Sequence, residues 1–264
     1  MPYTLNNRVR IYWEEEGQGE PLVMIMGLGF PLAMWGDLRP FMARRFRTIV
    51  YDNRGVGKSD APLPPYSIAK MAQDAACVLD AAAVPRAHIL GLSMGGMIAQ
   101  EVALSAPHRV NKLILGCTNC GGRKSVREAP EVRHALLPRF FVPRDKRIAA
   151  VLPFIYDEHT PRNRVEADVQ LLRGNATPVL GFIAQLLAIA SWQSYDRLPQ
   201  ITAPTLVIHG ENDRLVPPGN AAILANRIPN AKLVMLPQAS HIFPTDQPER
   251  TREVLLAFLS TIEL

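Results

Sequence analysis

Cysteine is scarce in this chain of 264 residues: Cys77, Cys117 and Cys120 are the only three. Three thiols cannot build a disulfide framework, and a reducing cytoplasm suits them best. Long apolar runs are also missing. The longest, Val179 to Trp192, is interrupted by Gln185 and falls short of the ~20 residues a membrane-crossing helix needs. The opening MPYTLNNRVRIYWEEE has no apolar core behind a basic start, so no secretory leader is expected. No internal repeat or low-complexity tract is visible. Basic residues outnumber acidic ones, 29 to 24, for a net charge of +5. They are spread out, with no nucleic-acid motif and no basic run interleaved with aromatics. Neither a nucleic-acid nor a membrane partner is therefore expected. The densest basic stretch, Arg123 to Arg147, reads as solvated surface with at most a mild attraction for anionic substrates.

What is present is a globular composition. With 48% hydrophobic and 20% charged residues, a disordered or collagen-like chain is excluded, and the length suits one α/β domain with an insertion. Short apolar runs alternate with helical spacing. Val9 to Trp13, Leu22 to Met26, Thr48 to Tyr51, His88 to Leu90 and Lys112 to Leu115 read as strands. Ser67 precedes apolar residues at helical spacing from Ile68 to Ala82, as a cap before a helix should. A second helix is expected from Met97 to Ser105. The rhythm breaks from Thr118 to about Pro199, where amphipathic helical pieces replace strands. It resumes with Thr205 to Ile208 and Leu233 to Leu236, and closes with a helix from Pro248 to about Ile262. The expected fold is α/β: a mainly parallel central sheet flanked by helices, with residues 1–117 and 200–264 as core and 118–199 as a helical cap insertion. Such an insertion lies over the sheet edge where open α/β folds hold their sites.

The strongest chemical signal is Gly91-Leu92-Ser93-Met94-Gly95-Gly96. It matches G-x-S-x-G between a strand and a helix, the context in which a serine is exposed on a strained turn. The helix that follows points its N-terminal N–H groups and positive dipole end at a developing oxyanion. A nucleophilic serine needs a base and an orienting acid. Of six histidines, His241 lies in the loop after the last strand and is the candidate base. Asp213, in the loop Gly210-Glu211-Asn212-Asp213 between serine and histidine, is the candidate acid, with Glu211 as competitor. The Met94 amide would supply one oxyanion donor. The second is expected from Leu28, in the turn Met26-Gly27-Leu28-Gly29-Phe30, where glycines let backbone approach a ligand.

Taken together these residues resemble the α/β-hydrolase superfamily, serine-nucleophile branch, over nearly the whole chain. The Gly-Leu-Ser-Met-Gly-Gly-Met elbow is similar to those of small carboxylesterases and enol-lactonase-type hydrolases. Asp52-Asn53-Arg54-Gly55-Val56-Gly57-Lys58-Ser59 looks like the family's structural D-x-R-G-x-G-x-S turn, which implies a scaffold role for Asp52 and Arg54. The family's usual His-Gly before the oxyanion turn is Met26-Gly27 here. The resemblance implies a hydrolase of small carboxylic esters or lactones, working without cofactor through an acyl-enzyme on Ser93. C–C bond hydrolysis of ring-cleavage products, perhydrolysis, or a non-catalytic ligand-binding role are the alternatives.

Other motifs fail on inspection. Gly57-Lys58-Ser59 would need a glycine at the position of Asp52, and the prolines after Ser59 forbid the helix that a phosphate loop requires. Gly27-Leu28-Gly29 lacks the third glycine of a dinucleotide turn, since Leu32 stands there. Cys117 and Cys120 are a lone pair without the second pair a zinc site needs, so no metal is expected. The apolar substrate pocket is expected from Trp35 and from the insertion's Phe140, Phe141, Phe154, Tyr156, Phe182, Leu186 and Trp192.

Overall fold

The computed structural model describes residues 3–136, 142–175 and 177–260. The N-terminal part runs β1 (Tyr3–Asn6), β2 (Val9–Glu16), β3 (Glu20–Ile25), α1 (Leu38–Ala43), β4 (Phe46–Tyr51), α2 (Ile68–Ala81), β5 (Ala87–Leu92), α3 (Met94–Ser105) and β6 (Val110–Gly116). Four helices follow: α4 (Pro130–Leu136), α5 (Arg144–Ile155), α6 (Arg162–Gly174) and α7 (Val179–Ala190). The chain ends with β7 (Thr205–Gly210), α8 (Gly219–Arg227), β8 (Ala231–Leu236), α9 (Phe243–Asp246) and α10 (Pro248–Leu259).

The eight strands form one sheet in the order β1-β2-β4-β3-β5-β6-β7-β8. β1, β2 and β4 pair antiparallel; from β4 through β8 every pairing is parallel. The inner parallel strands are mainly apolar because both faces are covered, whereas β8 at the edge is only partly buried. Along β3, Val23 and Ile25 join the core beneath α2 and α3, while Leu22 and Met24 join the core beneath α1 and α10. α2 starts where expected: Ser67 Oγ accepts the Lys70 N–H at 3.1 Å, a cap worth about 1 kcal/mol. α3 begins at Met94 rather than Met97, directly behind the serine.

β1, α1, α8 and α9 lie outside the elements expected from the sequence. β1 is an edge strand whose Tyr3 and Leu5 stay exposed, so it lacks the buried run that marks the central strands. Between β6 and β7 the described residues hold helices and one isolated bridge, Gly121 to Gln193, but no strand. No single helix among the described residues is long and apolar enough to cross a membrane.

The topology fixes where a site forms. From β3 the chain crosses to β4 on one side; from β5 it crosses to β6 on the other. Adjacent parallel strands whose connections diverge leave a crevice at their carboxyl ends. The turn holding Leu28 follows β3, and Ser93 follows β5 directly.

Candidate active site

Ser93 sits at the join of β5 and α3 with φ 57° and ψ −121°. A non-glycine residue held there stores on the order of 1–3 kcal/mol of strain, which the surroundings must over-determine. Ser93 N–H donates to the Gly116 carbonyl at 2.8 Å, and its own carbonyl accepts from Thr118 Oγ1 at 2.7 Å and from the Gly96 N–H at 2.9 Å. The flanking glycines have a steric reason: a Cβ on Gly95 would run into the Ile25 carbonyl, and one on Gly91 into the Gly95 carbonyl. The turn can therefore be sharp only because these positions carry no side chain.

His241 and Asp213 meet on the loops after β8 and β7. His241 Nδ1 lies 2.8 Å from Asp213 Oδ2, which leaves Nε2 as the imidazole's proton acceptor. Asp213 is buried. Its Oδ1 accepts the N–H groups of Leu215 and Val216 at 2.9 and 2.8 Å. Burial pushes the Asp213 carboxyl upward, but the charges and hydrogen bonds of His241 and His209 outweigh it and hold the group well below the usual carboxylate range. Glu211, the competitor for the acid role, is exposed.

His209, fully buried at the end of β7, is a partner not expected from the sequence. Its Nε2 donates to the Val216 carbonyl at 2.8 Å and stands 3.3 Å from Asp213 Oδ2. The signal was a lone polar residue closing the apolar run Thr205 to Ile208. Cys117 completes this buried group: Cys117, His209 and Asp213 have ligand-type atoms within 4.8 Å of one another. Burial raises the Cys117 thiol well above its ordinary value, so it stays protonated, and it donates to the Ser240 carbonyl at 3.6 Å. With Asp213 committed to two imidazoles, this arrangement supports the carboxylate rather than forming a metal centre.

The turn after β3 is held by the insertion. Gly29 N–H donates to Gln185 Oε1 at 2.8 Å, Gln185 Nε2 donates to the Arg54 carbonyl at 2.8 Å, and Thr177 Oγ1 donates to the Gly29 carbonyl at 2.8 Å. Gln185, fully buried on α7, is the residue that interrupts the chain's longest apolar run. Gly29 has φ +68° and the Phe182 ring lies against it, leaving no room for a Cβ. With Gly29 and Phe30 donating elsewhere, the Leu28 N–H is left without a partner among the described residues, as is that of Met94.

Leu28, Ser93, Met94 and His241 line one cavity of about 450 Å³. Its other walls are mainly apolar residues of the insertion, among them Val151, Ile155, Phe182, Leu186 and Ile189. Phe182 and Leu186 are thus on the wall. Of the other expected pocket residues, those that the structure describes are not, because each packs elsewhere. Trp35 is buried in the core between the sheet and α1 and α10. Tyr156 is buried with its hydroxyl donating to Asp168 at 2.9 Å. Trp192 packs in the core on the other face and donates Nε1–H to Glu101 at 2.8 Å. Phe154 lies under the Arg214 guanidinium, 4.7 Å from its ring centroid. Phe140 and Phe141 lie outside the described residues. Asp52 accepts the Leu32 and Lys58 N–H groups, and Arg54 pairs with buried Asp74 at 2.6 Å; both brace loops.

Two more buried carboxylates tie the insertion to the loops of Asp213 and His241. Asp246 accepts the Ser240 N–H at 2.7 Å on one oxygen, and Thr160 Oγ1 at 2.6 Å and the Asp157 N–H at 3.3 Å on the other. Asp157 accepts from Asn212 Nδ2 at 2.7 Å. Burial, opposed by the three hydrogen bonds and reinforced by Asp157, lifts the Asp246 carboxyl to about 6. A group whose folded value exceeds its unfolded one binds more protons in the fold, so stability rises as pH falls through that value. Between pH 7 and 5 this contributes roughly 1 kcal/mol of added stability. Asp246→Asn should abolish that increment, so the wild-type advantage in melting temperature should be larger at pH 5 than at pH 7. Parallel melting curves of the two proteins across that range would refute the titration of Asp246.

The sequence pattern of the Alpha/beta hydrolase family matches residues 22–254. A putative carbamate hydrolase RutD of Azorhizobium caulinodans is 32% identical over 269 residues, covering 100% of both chains. Among solved structures, the enol-lactonase of Burkholderia xenovorans LB400 superposes with a TM-score of 0.88 at 26% identity, covering 98% of this chain and 100% of the other. The esterase EaEST of Exiguobacterium antarcticum superposes with a TM-score of 0.89 at 25% identity, covering 98% and 99%.

Proposed function

This chain belongs to the alpha/beta hydrolase family, and from that we propose that it is a serine hydrolase cleaving small carboxylic esters or lactones. Ser93 Oγ attacks the acyl carbon as His241 Nε2 takes its proton, and Asp213 holds the imidazole in the Nδ1–H form and stabilises its charged state. The Leu28 and Met94 amides receive the oxyanion. The alcohol leaves with the proton from His241, and water activated by the same imidazole releases the acid. The observation that carries this reading is the His241–Asp213 pair at 2.8 Å, in a chain whose His241 shares one apolar cavity with Ser93 on its strained turn.

The full-length likeness to a putative carbamate hydrolase favours a second reading with the same machinery, in which the acyl carbon belongs to a carbamate. The apolar walls supply binding energy for carbon chains, about 0.8 kcal/mol per buried methylene, and this argues for esters. An organophosphonate should label Ser93, and a matched panel of ester, lactone, carbamate and C–C ring-cleavage substrates should give the highest kcat/KM on ester or lactone, peaking at short to medium acyl chains. Labelling elsewhere, or a panel led by carbamate, would sink the ester assignment.

Gln185 offers a test of the oxyanion turn. Gln185→Leu leaves the Gly29 N–H and the Arg54 carbonyl unpaired and frees the Leu28 turn. We expect kcat to fall roughly 10- to 100-fold with little change in KM, because Gln185 is not on the cavity wall. An unchanged kcat would show that the turn needs no support from α7.

A further inference from the structure

The cavity is apolar near Ser93 but not at its far end. α5 contributes one continuous face to it: Arg147, Ile148, Val151, Leu152 and Ile155 recur at helical spacing along the wall. The Ile155 end abuts the catalytic loop, since the Ile155 carbonyl accepts the Ile242 N–H at 2.9 Å, next to His241. Arg147 is eight residues earlier, about 12 Å along the axis at 1.5 Å per residue. Its side chain is half-buried, and its Nε is sealed from solvent without a hydrogen-bond partner among the described residues. An unpaired buried donor on a charged group is costly. Neighbouring charges are balanced: Arg133 pairs with Glu128 at 2.8 Å, and Asp145 with Arg173 at 3.0 Å. Glu128, the acidic residue on the wall, is the one that pairs with Arg133, so among the described residues Arg147, with Lys146 beside it on the wall, has no ion-pair partner at that end of the cavity.

We propose that the cavity binds a substrate whose chain ends in a carboxylate, held by Arg147 and assisted by Lys146 while the scissile carbonyl lies at Ser93. The apolar face of α5 between Arg147 and Ile155 covers the methylenes. The substrate class is then esters or lactones carrying a carboxylate remote from the scissile bond, such as half-esters of dicarboxylic acids. The fixed separation along α5 selects one intermediate chain length, because a short diacid cannot reach both ends. This inference rests on the serine-hydrolase reading for its chemistry, but the carboxylate site itself stands or falls on binding.

The test uses the intact protein in two arms. In the first, p-nitrophenyl half-esters of succinate, adipate, suberate and sebacate are compared with the corresponding neutral alkanoate esters, and with acetyl esters of ω-hydroxy acids, which place the carboxylate on the alcohol side. We expect one half-ester or hydroxy-acid series to peak at an intermediate length. Arg147→Gln should lower kcat/KM for that substrate roughly 10- to 100-fold, the worth of a charged hydrogen bond, and change the neutral ester less than about threefold. Arg127→Gln, an exposed arginine of the same stretch off the wall, should change neither. Equal loss on charged and neutral esters, or no loss on either, overturns the proposal while leaving the serine hydrolase intact. The second arm measures free suberate binding by calorimetry, which needs no turnover. Binding that weakens at least tenfold in Arg147→Gln, in a variant with an unchanged melting curve, supports the carboxylate site even if every ester in the panel is inert. Binding of equal strength in both proteins overturns it.

Discussion

On the proposed function, Ser93→Ala should lower kcat on a good ester by roughly 10⁴ to 10⁶, and His241→Ala by about as much, because the members of a triad act as one unit. The double variant should be hardly worse than either single one. The local backbone allows a control that separates chemistry from folding. Alanine at position 93 keeps a Cβ at φ 57° and so inherits the strain. Glycine adopts positive φ without that penalty. Ser93→Gly should therefore be as inactive as Ser93→Ala yet melt at a higher temperature, read by calorimetry. Substantial activity in either variant would end the acyl-enzyme mechanism. A glycine variant that melts lower would show that the turn is not strained.

Asp213→Asn should lower kcat roughly 10³- to 10⁴-fold, more than loss of charge alone requires. Two backbone N–H groups, from Leu215 and Val216, demand an oxygen at the Oδ1 position. The amide nitrogen of asparagine is thus driven to the Oδ2 position, where it faces the Nδ1–H of His241 and the Nε2–H of His209. The cheapest relief is for His241 to move its proton to Nε2, the atom that must accept from Ser93. The loss should appear in kcat with KM nearly unchanged. Retained activity in Asp213→Asn with loss in Glu211→Gln would transfer the acid role to Glu211, despite its exposure. Acid stability offers a second readout. The carboxyl of Asp213 is depressed in the fold, so its contribution is complete above the unfolded value of about 3.9 and is lost as pH falls through the depressed one. The asparagine variant should lack that loss.

The central strands were readable because burial on both faces makes β3, β5, β6 and β7 mainly apolar runs, with a few buried polar residues such as His88, Lys112 and His209 among them. The edge strand β1 has one exposed side and no such run. The elbow was readable because glycines on both sides of a serine have a steric cause that survives in one dimension. The candidate acid and base followed from chain order and from loops after strands. Pocket residues were not readable, because an aromatic side chain reports that volume is buried without reporting the direction it points. Tyr156 and Trp192 each carry a polar tip that found a carboxylate, Asp168 and Glu101, away from the cavity. His209 and Gln185 share a fainter signal: a single polar residue at the edge or middle of an apolar run, which costs too much to bury unless something holds it.

The insertion's bonds to Gly29, Asn212 and Asp246 bear on how such proteins can be recombined. Thr177 and Gln185 grip the turn that holds Leu28, while Asp157 and Thr160 grip the loops of Asp213 and His241. A chimera that exchanges residues 118–199 for a relative's segment therefore severs connections to the loops of Leu28, Asp213 and His241 at once. On the proposed function, cavity wall and loop geometry are inherited as one block, and a graft that alters the first without disturbing the second must carry Asp157, Thr160, Thr177 and Gln185 across with it.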